Sequence, residues 1–515
     1  MPAINWGRHH QSLRARFGPR IAVQDAQGCA TYAEIADHAA GLARALLQSG
    51  AGPGTKIASL MRNSRLAVAA SYAIQLTGAA EVPLNIAYTE AERRDALTTA
   101  GCTTVVCAPE HAQFFRDHAI ATHDITTISP QTLTATNFPD VPPHFPGRIG
   151  FTSGTTGRPK AIVTSQQARF TGNLLLQASL PWLPGPNSRC LLMTPFAHGA
   201  SLQSFAWLNQ GGTVILHDGV DPDRIHPLLN SQAVEAMFAA PTVLAKLTAA
   251  YAGQELPGIR TIFTGTAPLP PQLYARTRAM FGPIVRVTYG KSEVVNPIAI
   301  LRPDETDAYF AESTGHDGST CVGWPGQGVE IVIDGPRENG SEEGEILLRA
   351  QHMSDGILDA NHNTIPWRPP GLEDTGFHPT GDIGRIDQQG RLHLVARLSD
   401  AMKSGGYKVY PQDIERAAAQ AADTVIIGFP SEYWGEIIVA VAENPPPNWE
   451  EATRAACADL APYKRPRFYA TLTPIPRNGQ GKIVRRHIIA ALQQKWRLID
   501  GPRPSFAPLN AERLP

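Results

Sequence analysis

The sequence predicts an α/β fold, because short β-rich runs alternate with helical runs through its N-terminal half. This alternation is typical of parallel strands joined by crossover helices of about ten to fifteen residues. The length of 515 residues allows roughly three or four compact units, or fewer large ones. Beyond Gly326 the pattern changes, and strands that follow one another through Gly- and Asp-rich turns indicate antiparallel pairing.

The first predicted helix begins at a capping box, in which Thr31 is followed three residues later by Glu34. Apolar residues then recur at helical spacing until Gly50 ends the run. A second, apolar helix is predicted from Leu66 to Leu76. Short β-rich runs between and after these helices predict strands at 56–60, 80–84, 103–108, 212–216, 235–239 and 261–264.

The C-terminal part is predicted to contain antiparallel strands at 329–333, 344–348 and 391–395. After Asp400 we expect a compact segment with helices at 411–421 and 449–460 and a strand at 425–428. This change of pattern indicates a domain boundary near 396–400. Four prolines lie in residues 499–515, so we expect this tail to lie on the surface or to be disordered.

Charge and cysteine usage exclude several classes of protein. Lys and Arg number 45 and Asp and Glu 46, which gives a net charge of −1 and no strongly basic nucleic-acid footprint. The six cysteines form no CxxC pair, which fits reduced and mostly buried thiols. The longest charge-free stretch, 190–217, contains too many polar residues for a membrane span, and the N-terminus has no signal-peptide core. We therefore expect a soluble, cytoplasmic protein.

The strongest local signal is a loop from Thr152 to Lys160 that reads TSGTTGRPK. Its backbone N–H groups, hydroxyls and ammonium can point at a polyphosphate. It is not a Walker A loop, because Gly154 and Gly157 have the wrong spacing and Pro159 precedes the lysine. By composition alone, an ordinary Gly/Ser/Thr turn stays open as an alternative.

Further motifs follow this loop in order: TGTAPL at 264–269, YGKSE at 289–293, EGEI at 343–346, TGD at 380–382 and PRNGQGK at 476–482. With the loop, they resemble the signature of the adenylate-forming superfamily, which includes acyl- and aryl-CoA synthetases, peptide-synthetase adenylation domains and luciferases. The resemblance covers essentially the whole chain. One departure is Ser292, where the family commonly has Thr.

The resemblance implies a carboxylic acid:CoA ligase that forms an acyl-adenylate from ATP and then an acyl-CoA thioester, releasing AMP and pyrophosphate. Two anions meet in the first step, so the site needs fixed positive charge and a metal. The implied metal is Mg²⁺ with Glu293 as its protein ligand. Lys482 is implied as the catalytic bridge between the acid and the α-phosphate, a role that suits a compact charge on a mobile stem.

An ATP site is implied by the same resemblance. Tyr289 would stack against adenine, Asp382 would accept both ribose hydroxyls, and Arg397 would assist at the ribose or a phosphate. Lys160 belongs to a loop that is mobile in the family. The other implied ATP-binding residues are Thr152, Ser153, Gly154, Thr155, Thr156, Gly157, Gly265, Thr266, Ala267, Gly290, Ser292 and Lys482.

The implied architecture is a large N-terminal domain, residues 1–396, of layered α/β subdomains plus a β-barrel-like part. A hinge at 397–400, centred on Asp400, leads to a small mobile α+β domain at 401–515. Rotation about the hinge would separate adenylation from thioester formation. The residues implied to face the phosphopantetheine arm of CoA are Lys403, Ser404, Gly405 and Gly406.

The acid pocket is implied beside His198, as a gate of the acyl pocket and thiol tunnel, with a structural histidine as the alternative. Residues 196–205 contain no acidic residue, which argues against an α-amino acid substrate. Lys291 occupies a position that is often apolar or small; we hypothesise that it meets a polar or anionic group on the acid or the nucleotide, with a solvent-facing lysine as the alternative. The other predicted pocket residues, all small, are Gly199, Ala200, Ala240 and Gly265.

Aryl, alicyclic and medium-chain acids all stay open as substrates. The nearest alternative function is a stand-alone adenylating enzyme that loads a carrier protein. A nucleotide-binding protein without catalysis is a further alternative, against which the joint presence of Lys482, Glu293 and Asp382 argues. We expect an acid, ATP and CoA as partners, no nucleic acid and no membrane span, and a monomer or homodimer.

Overall fold

The computed structural model of the protein describes residues 2–152, 160–312, 319–335, 342–367, 371–419, 423–477 and 483–509, without the side chains of residues 152, 199, 200, 295, 296 and 408. In these ranges the helices are α1 (Trp6–Phe17), α2 (Tyr32–Gln48), α3 (Arg65–Thr77), α4 (Glu90–Ala100), α5 (Pro109–Asp117), α6 (Gln166–Ala178), α7 (Ser201–Leu208), α8 (Pro222–Asn230), α9 (Pro241–Ala250), α10 (Pro271–Phe281), α11 (Pro303–Ala311), α12 (Pro411–Ala418), α13 (Trp449–Ala456) and α14 (Arg485–Gln493). The strands are β1 (Ile21–Asp25), β2 (Gly28–Thr31), β3 (Lys56–Leu60), β4 (Ala80–Pro83), β5 (Thr104–Cys107), β6 (Ala121–Asp124), β7 (Pro146–Thr152), β8 (Lys160–Ser165), β9 (Arg189–Leu192), β10 (Thr213–Leu216), β11 (Ala236–Phe238), β12 (Thr261–Thr264), β13 (Val285–Lys291), β14 (Val294–Leu301), β15 (Thr320–Pro325), β16 (Val329–Asp334), β17 (Gly344–Ala350), β18 (Gly356–Leu358), β19 (Thr364–Pro366), β20 (His378–Ile386), β21 (Leu392–Arg397), β22 (Met402–Ser404), β23 (Tyr407–Val409), β24 (Thr424–Ser431), β25 (Gly435–Ala442), β26 (Phe468–Thr471), β27 (Trp496–Ile499) and β28 (Ser505–Pro508).

These strands form two large sheets and two small ones. The first sheet has the order β16-β17-β20-β21-β15-β14-β13-β12-β11-β9-β10-β1-β2, and the second has the order β19-β18-β8-β7-β4-β3-β5-β6. In the third sheet β23, β22, β25 and β24 follow one another and β26 pairs with β25, while β27 and β28 form a separate hairpin. The predicted α/β fold is confirmed.

Parallel pairing in the first sheet runs from β1 through β10, β9, β11 and β12 to β13, as the alternating pattern predicted. Its strands are apolar and buried, with Leu191, Ile215 and Met237 fully inside the core. Near-continuous apolar runs are typical of parallel strands that helices cover on both faces. The antiparallel prediction for the C-terminal strands is also confirmed, by the pairs β16 with β17 and β20 with β21.

Local signals explain where the first helices begin and end. The Thr31 hydroxyl accepts from the Glu34 backbone, and the Glu34 carboxylate accepts from the Thr31 backbone, so the predicted capping box is present. The apolar helix α3 ends at Gly78, which has φ +76, a left-handed conformation that glycine adopts without strain.

The first sheet curls back on itself at its antiparallel end. Four steps along the strand order separate β13 from β20, which corresponds to about 19 Å in a flat sheet at roughly 4.8 Å per step. Nevertheless the Tyr289 hydroxyl of β13 lies 2.5 Å from the Asp382 carboxylate of β20. The curling brings side chains from distant strands to one point, in keeping with a barrel-like part.

The two large sheets meet beside the turn between β13 and β14. Ser354 donates its backbone N–H to the Glu293 carbonyl in that turn, and Asp355 donates to the Val163 carbonyl in β8. The segment before β18 therefore joins the two sheets at the ends of β8 and β13.

The third sheet, with α12, α13 and α14, holds the residues after Asp400. The predicted helices at 411–421 and 449–460 are observed as the shorter α12 and α13. Disorder is wrong as a prediction for the start of the tail, because Trp496 and Phe506 of the β27–β28 hairpin pack on the core of this sheet. Burial of apolar side chains from both strands stabilises the hairpin, although the number of prolines had suggested disorder. Among the described residues, no helix is long and apolar enough to cross a bilayer.

Candidate active site

Asp382 is the centre of the candidate site and is 5% exposed. Its Oδ2 accepts from the Tyr289 hydroxyl at 2.5 Å and from the Lys291 ammonium at 3.3 Å. Its Oδ1 accepts from Nε of Arg397 at 3.1 Å. The structure thus brings together four residues that the sequence singled out.

Strand geometry explains this convergence. Tyr289 and Lys291 are two residues apart on β13, at a bulge in its pairing with β14, and both side chains reach the same carboxylate oxygen. Asp382 and Arg397 are directly opposite one another on β20 and β21, where cross-strand side chains are in contact distance. Burial, and then the charge of Asp382, raise the pKa of Tyr289, so its hydroxyl stays a proton donor to the carboxylate.

Glu293 lies in the turn after β13, two residues beyond Lys291. Within the described part of the chain, no hydrogen bond or ion pair occupies its carboxylate. Mg²⁺ in nucleotide sites is bound by one or two carboxylates together with substrate phosphates. The carboxylate of Glu293 therefore fits a magnesium ion that arrives with ATP, because the phosphates would supply the other ligands and a cluster of protein ligands is not needed.

His378 was missed by the sequence analysis. His378 lies on β20 with Thr380 and Asp382, and all three are buried. Burial lowers the pKa of His378, Glu293 acts to raise it, and Lys291 and Lys160 act to lower it further. Among the described residues its Nδ1 has no hydrogen-bond partner. No motif in the sequence marks His378.

The predicted phosphate loop is flanked by β7 and β8, which pair in antiparallel fashion with Thr152 opposite Lys160. Lys160 is exposed. The predicted residues Ser153, Gly154, Thr155, Thr156 and Gly157 lie outside the described residues, as does Lys482.

The predicted adenine-side segment follows β12. A Cβ on Gly265 would lie 2.5 Å from the Thr288 carbonyl oxygen, so this glycine allows two backbones to approach closely rather than leaving room for an acid, as its small size had suggested. Thr266 has φ +72, which is strained for a β-branched residue. Thr266 and Ala267 are exposed. Strain of this kind concentrates at binding sites.

His198 lies in a kink before α7, with φ −112 and ψ −137. Its Nε2 is 3.0 Å from the side-chain nitrogen of Asn85. Because the Asn85 side-chain oxygen accepts from the Ala87 backbone, the amide nitrogen faces the ring and donates to Nε2. This hydrogen-bond network assigns an unprotonated Nε2 to His198. Asn85 is 1% exposed, and sequence reasoning had missed it.

A buried charge network supports the same segment. Glu81 accepts from Arg169 at 2.5 Å and lies 3.6 Å from Arg148, and Arg148 also donates to the Ala197 carbonyl at 2.8 Å. Burial acts to raise the pKa of Glu81, but the two guanidinium groups outweigh it and leave that pKa below its usual value. Glu81 therefore stays ionised and ties β4 to the residue before His198.

The remaining acid-pocket predictions have different outcomes. Ala240 is half-buried and precedes α9. The burial of Gly199 and the side chain of Ala200 lie outside the described part of the chain. Lys291, which could have met the acid or the nucleotide, pairs with Asp382 and also donates to the Thr380 carbonyl at 2.7 Å.

The predicted hinge, 397–400, is anchored at both ends. Arg397 pairs with Asp382 in the first sheet. Asp400 pairs with Arg485 of α14 at 2.7 Å, and Arg485 also pairs with Glu415 of α12. One ion pair thus attaches the start of the hinge to the first sheet, and another attaches its end to α14.

Of the predicted pantetheine residues, Lys403 and the buried Ser404 lie in β22, and Gly405 and Gly406 form the turn to β23. Gly405 has φ +59 and donates its N–H to the Trp434 carbonyl at 2.8 Å. Asp500 of the C-terminal hairpin segment accepts from the Ser431 hydroxyl and from the backbone N–H groups of Glu432 and Tyr433. The hairpin thereby fixes the loop on which Gly405 packs.

Comparison with known proteins gives relatives along nearly the whole chain. A feruloyl-CoA synthase of Amycolatopsis sp. is 29% identical over 92% of this chain and 96% of its own length. An indoleacetate–CoA ligase of Aromatoleum aromaticum is 28% identical over 94% of this chain and 96% of its own length. Among solved structures, an o-succinylbenzoate CoA synthetase of Bacillus subtilis with its acyl-adenylate intermediate has a TM-score of 0.79 at 24% identity, over 95% of this chain and 98% of that one.

This structural likeness agrees with the observed α/β fold. The model of the AMP-binding enzyme family matches residues 11–358, which is more than half of the chain and includes the phosphate loop, Asn85, His198, Tyr289 and Glu293. The chain therefore belongs to the AMP-binding enzyme family.

Proposed function

We propose that the protein is an ATP-dependent carboxylic acid:CoA ligase. The observation that carries the proposal is the convergence of Tyr289, Asp382 and Arg397 beside the Glu293 turn. A buried carboxylate with an aromatic neighbour suits a nucleoside, and an uncommitted carboxylate nearby suits the metal of a polyphosphate. The CoA ligases among the relatives support the same chemistry.

In the proposed first step, a carboxylate oxygen of the acid attacks the α-phosphorus of ATP, and the bond to pyrophosphate breaks. Asp382 holds the ribose, and Glu293 would hold Mg²⁺, which neutralises phosphate charge when bound. Lys482 bridges the two anions. In the second step the CoA thiolate attacks the acyl carbon and AMP leaves, while His198 gates the path of the thiol.

We assign the domains as 1–396, a hinge at 397–400 and a mobile unit at 401–515. The anchoring of Arg397 and Asp400 to opposite sides supports this division. Acids that contain an aryl or alicyclic ring are the favoured substrate class, because several relatives are named for such acids. Five of the six cysteines are buried and all are unpaired, which supports a reducing, cytoplasmic setting.

Acid-dependent exchange of labelled pyrophosphate into ATP tests the first step across aryl, alicyclic and medium-chain acids. We expect exchange with at least one aryl or alicyclic acid, and thioester formation when CoA is added. Product formation only with a carrier protein would favour the carrier-loading alternative. Exchange with none of the acids, despite ATP binding, would contradict the proposal.

A further inference from the structure

We propose that Lys291 is a positioning residue for the nucleotide, which holds the carboxylate of Asp382 so that Oδ1 faces the ribose. This inference rests on the proposed function, in which Asp382 binds the ribose. It assigns Lys291 to the nucleotide end of the site rather than to the acid pocket.

The first argument is occupancy. A carboxylate offers about four acceptor positions, two on each oxygen. Among the described residues, Tyr289 and Lys291 together fill Oδ2 of Asp382, whereas Oδ1 accepts from Arg397 alone. Ribose therefore has one open position at Oδ1, and gains a second only if Arg397 moves away.

The second argument is exposure. The side chain of Lys291 is 11% exposed and that of Arg397 is 51% exposed. Because the guanidinium of Arg397 is the solvent-facing partner of this carboxylate, it is the partner that a nucleotide displaces. A buried carboxylate without a nearby positive charge is costly. Lys291 is then the cation that continues to compensate Asp382 when Arg397 leaves.

The third argument is the second contact of the ammonium. Nζ of Lys291 donates to the Thr380 carbonyl at 2.7 Å, and the Thr380 hydroxyl accepts from the Asp382 backbone N–H at 3.0 Å. Lys291 thus holds both the carboxylate and the strand segment that carries it. An ammonium already paired with a carboxylate is a weak attractant for an anionic acid, which disfavours the acid-pocket hypothesis.

The test is direct nucleotide binding by the full-length protein, measured by calorimetry without acid, for Lys291→Met, Asp382→Asn and the double variant. We expect Lys291→Met to weaken ATP binding about tenfold, the loss of one charge-assisted hydrogen bond, and to add little in the Asp382→Asn background. We also expect it to narrow the difference in affinity between ATP and its 2′- and 3′-deoxy analogues. Lys291→Arg, which keeps the charge, should recover most of the affinity, and Lys246→Met of the exposed face of α9 is the matched control.

Unchanged ATP affinity in Lys291→Met, with an altered KM for the acid, would overturn the inference and return Lys291 to the acid pocket. Additive losses in the double variant would overturn it as well. Failure of the proposed function can be told apart from failure of this inference. If the wild-type protein binds ATP but ligates no acid, the ligase proposal fails while the predicted differences in ATP affinity among the variants still stand. If the wild-type protein binds no ATP, both proposals are overturned.

Discussion

The side-chain amide of Asn85 donates to Nε2 of His198 across 3.0 Å, and so fixes the ring of the proposed gate from the neighbouring sheet. Asn85 lies two residues after the end of β4, and its side-chain oxygen accepts from the Ala87 backbone N–H. Because the buried amide of Asn85 orients the His198 ring, the proposed gate has one preferred position, and Asn85 controls it.

Asn85→Ala is expected to lower the rate of acyl transfer to CoA roughly tenfold, because the ring loses the donor that orients it. Single-turnover transfer from a preformed acyl-adenylate measures this rate. His198→Ala provides the reference. In that background Asn85→Ala should have little further effect, and fully additive losses would contradict the orienting role.

Glu81→Gln is expected to destabilise the protein by about 3–5 kcal/mol, because it leaves two buried guanidinium groups without their carboxylate. Thermal and chemical unfolding measure the loss. The matched control is Glu330→Gln, which removes an exposed ion pair with Arg349 and should leave the unfolding midpoint nearly unchanged. Equal shifts in the two variants would contradict the account.

The ion pairs of Glu81 with Arg148 and Arg169 also predict that the stability of the protein depends on pH. The pKa of Glu81 is lower in the folded protein than in the unfolded chain, so its contribution is present above the unfolded pKa of about 4.3 and is lost as the pH falls. Unfolding midpoints measured from pH 7 downward should fall less steeply in Glu81→Gln than in the wild type. Parallel curves would show that Glu81 does not titrate with folding.

Asp500→Asn tests whether the C-terminal hairpin supports CoA binding. The variant weakens the acceptor that holds Ser431, Glu432 and Tyr433, so we expect a roughly fivefold rise in KM for CoA with unchanged pyrophosphate exchange. Asp459→Asn, an exposed site on the same unit, is the control. A parallel change in KM for ATP would indicate general loosening of the unit instead.

Lys482→Ala is expected to abolish adenylation and largely spare thioester formation from a supplied acyl-adenylate, because the ammonium is needed where two anions meet. Measuring the two half-reactions separately gives the result. Equal loss of both would contradict a scheme in which different faces of the C-terminal unit serve the two steps.

Local signals predicted the fold well. The capping box at Thr31, the glycine stop at Gly78 and the apolar parallel strands all depend on residues close in sequence, and each is observed. The hairpin at 496–508 was not predicted, because its stability comes from contacts with the distant Phe468 and Phe429.

The motifs predicted which residues form the site but not how their side chains pair with one another. Motif resemblance identified Tyr289, Asp382 and Arg397, whereas the pairing of Lys291 with Asp382 depends on the curling of a sheet that brings β13 to β20. Asn85 and His378 carry no motif of their own. Their roles follow only from which side chains they meet, which a single sequence does not specify.

The most direct test of the central claim is the fate of oxygen from the acid. With a substrate acid labelled with ¹⁸O in both carboxyl oxygens, ATP and CoA, attack of the carboxylate on the α-phosphorus transfers one labelled oxygen to AMP and leaves the other in the thioester carbonyl. Mass spectrometry of the products should therefore show AMP with one ¹⁸O and unlabelled pyrophosphate. Label in inorganic phosphate with ADP as the product, or unlabelled AMP, would contradict the acyl-adenylate route.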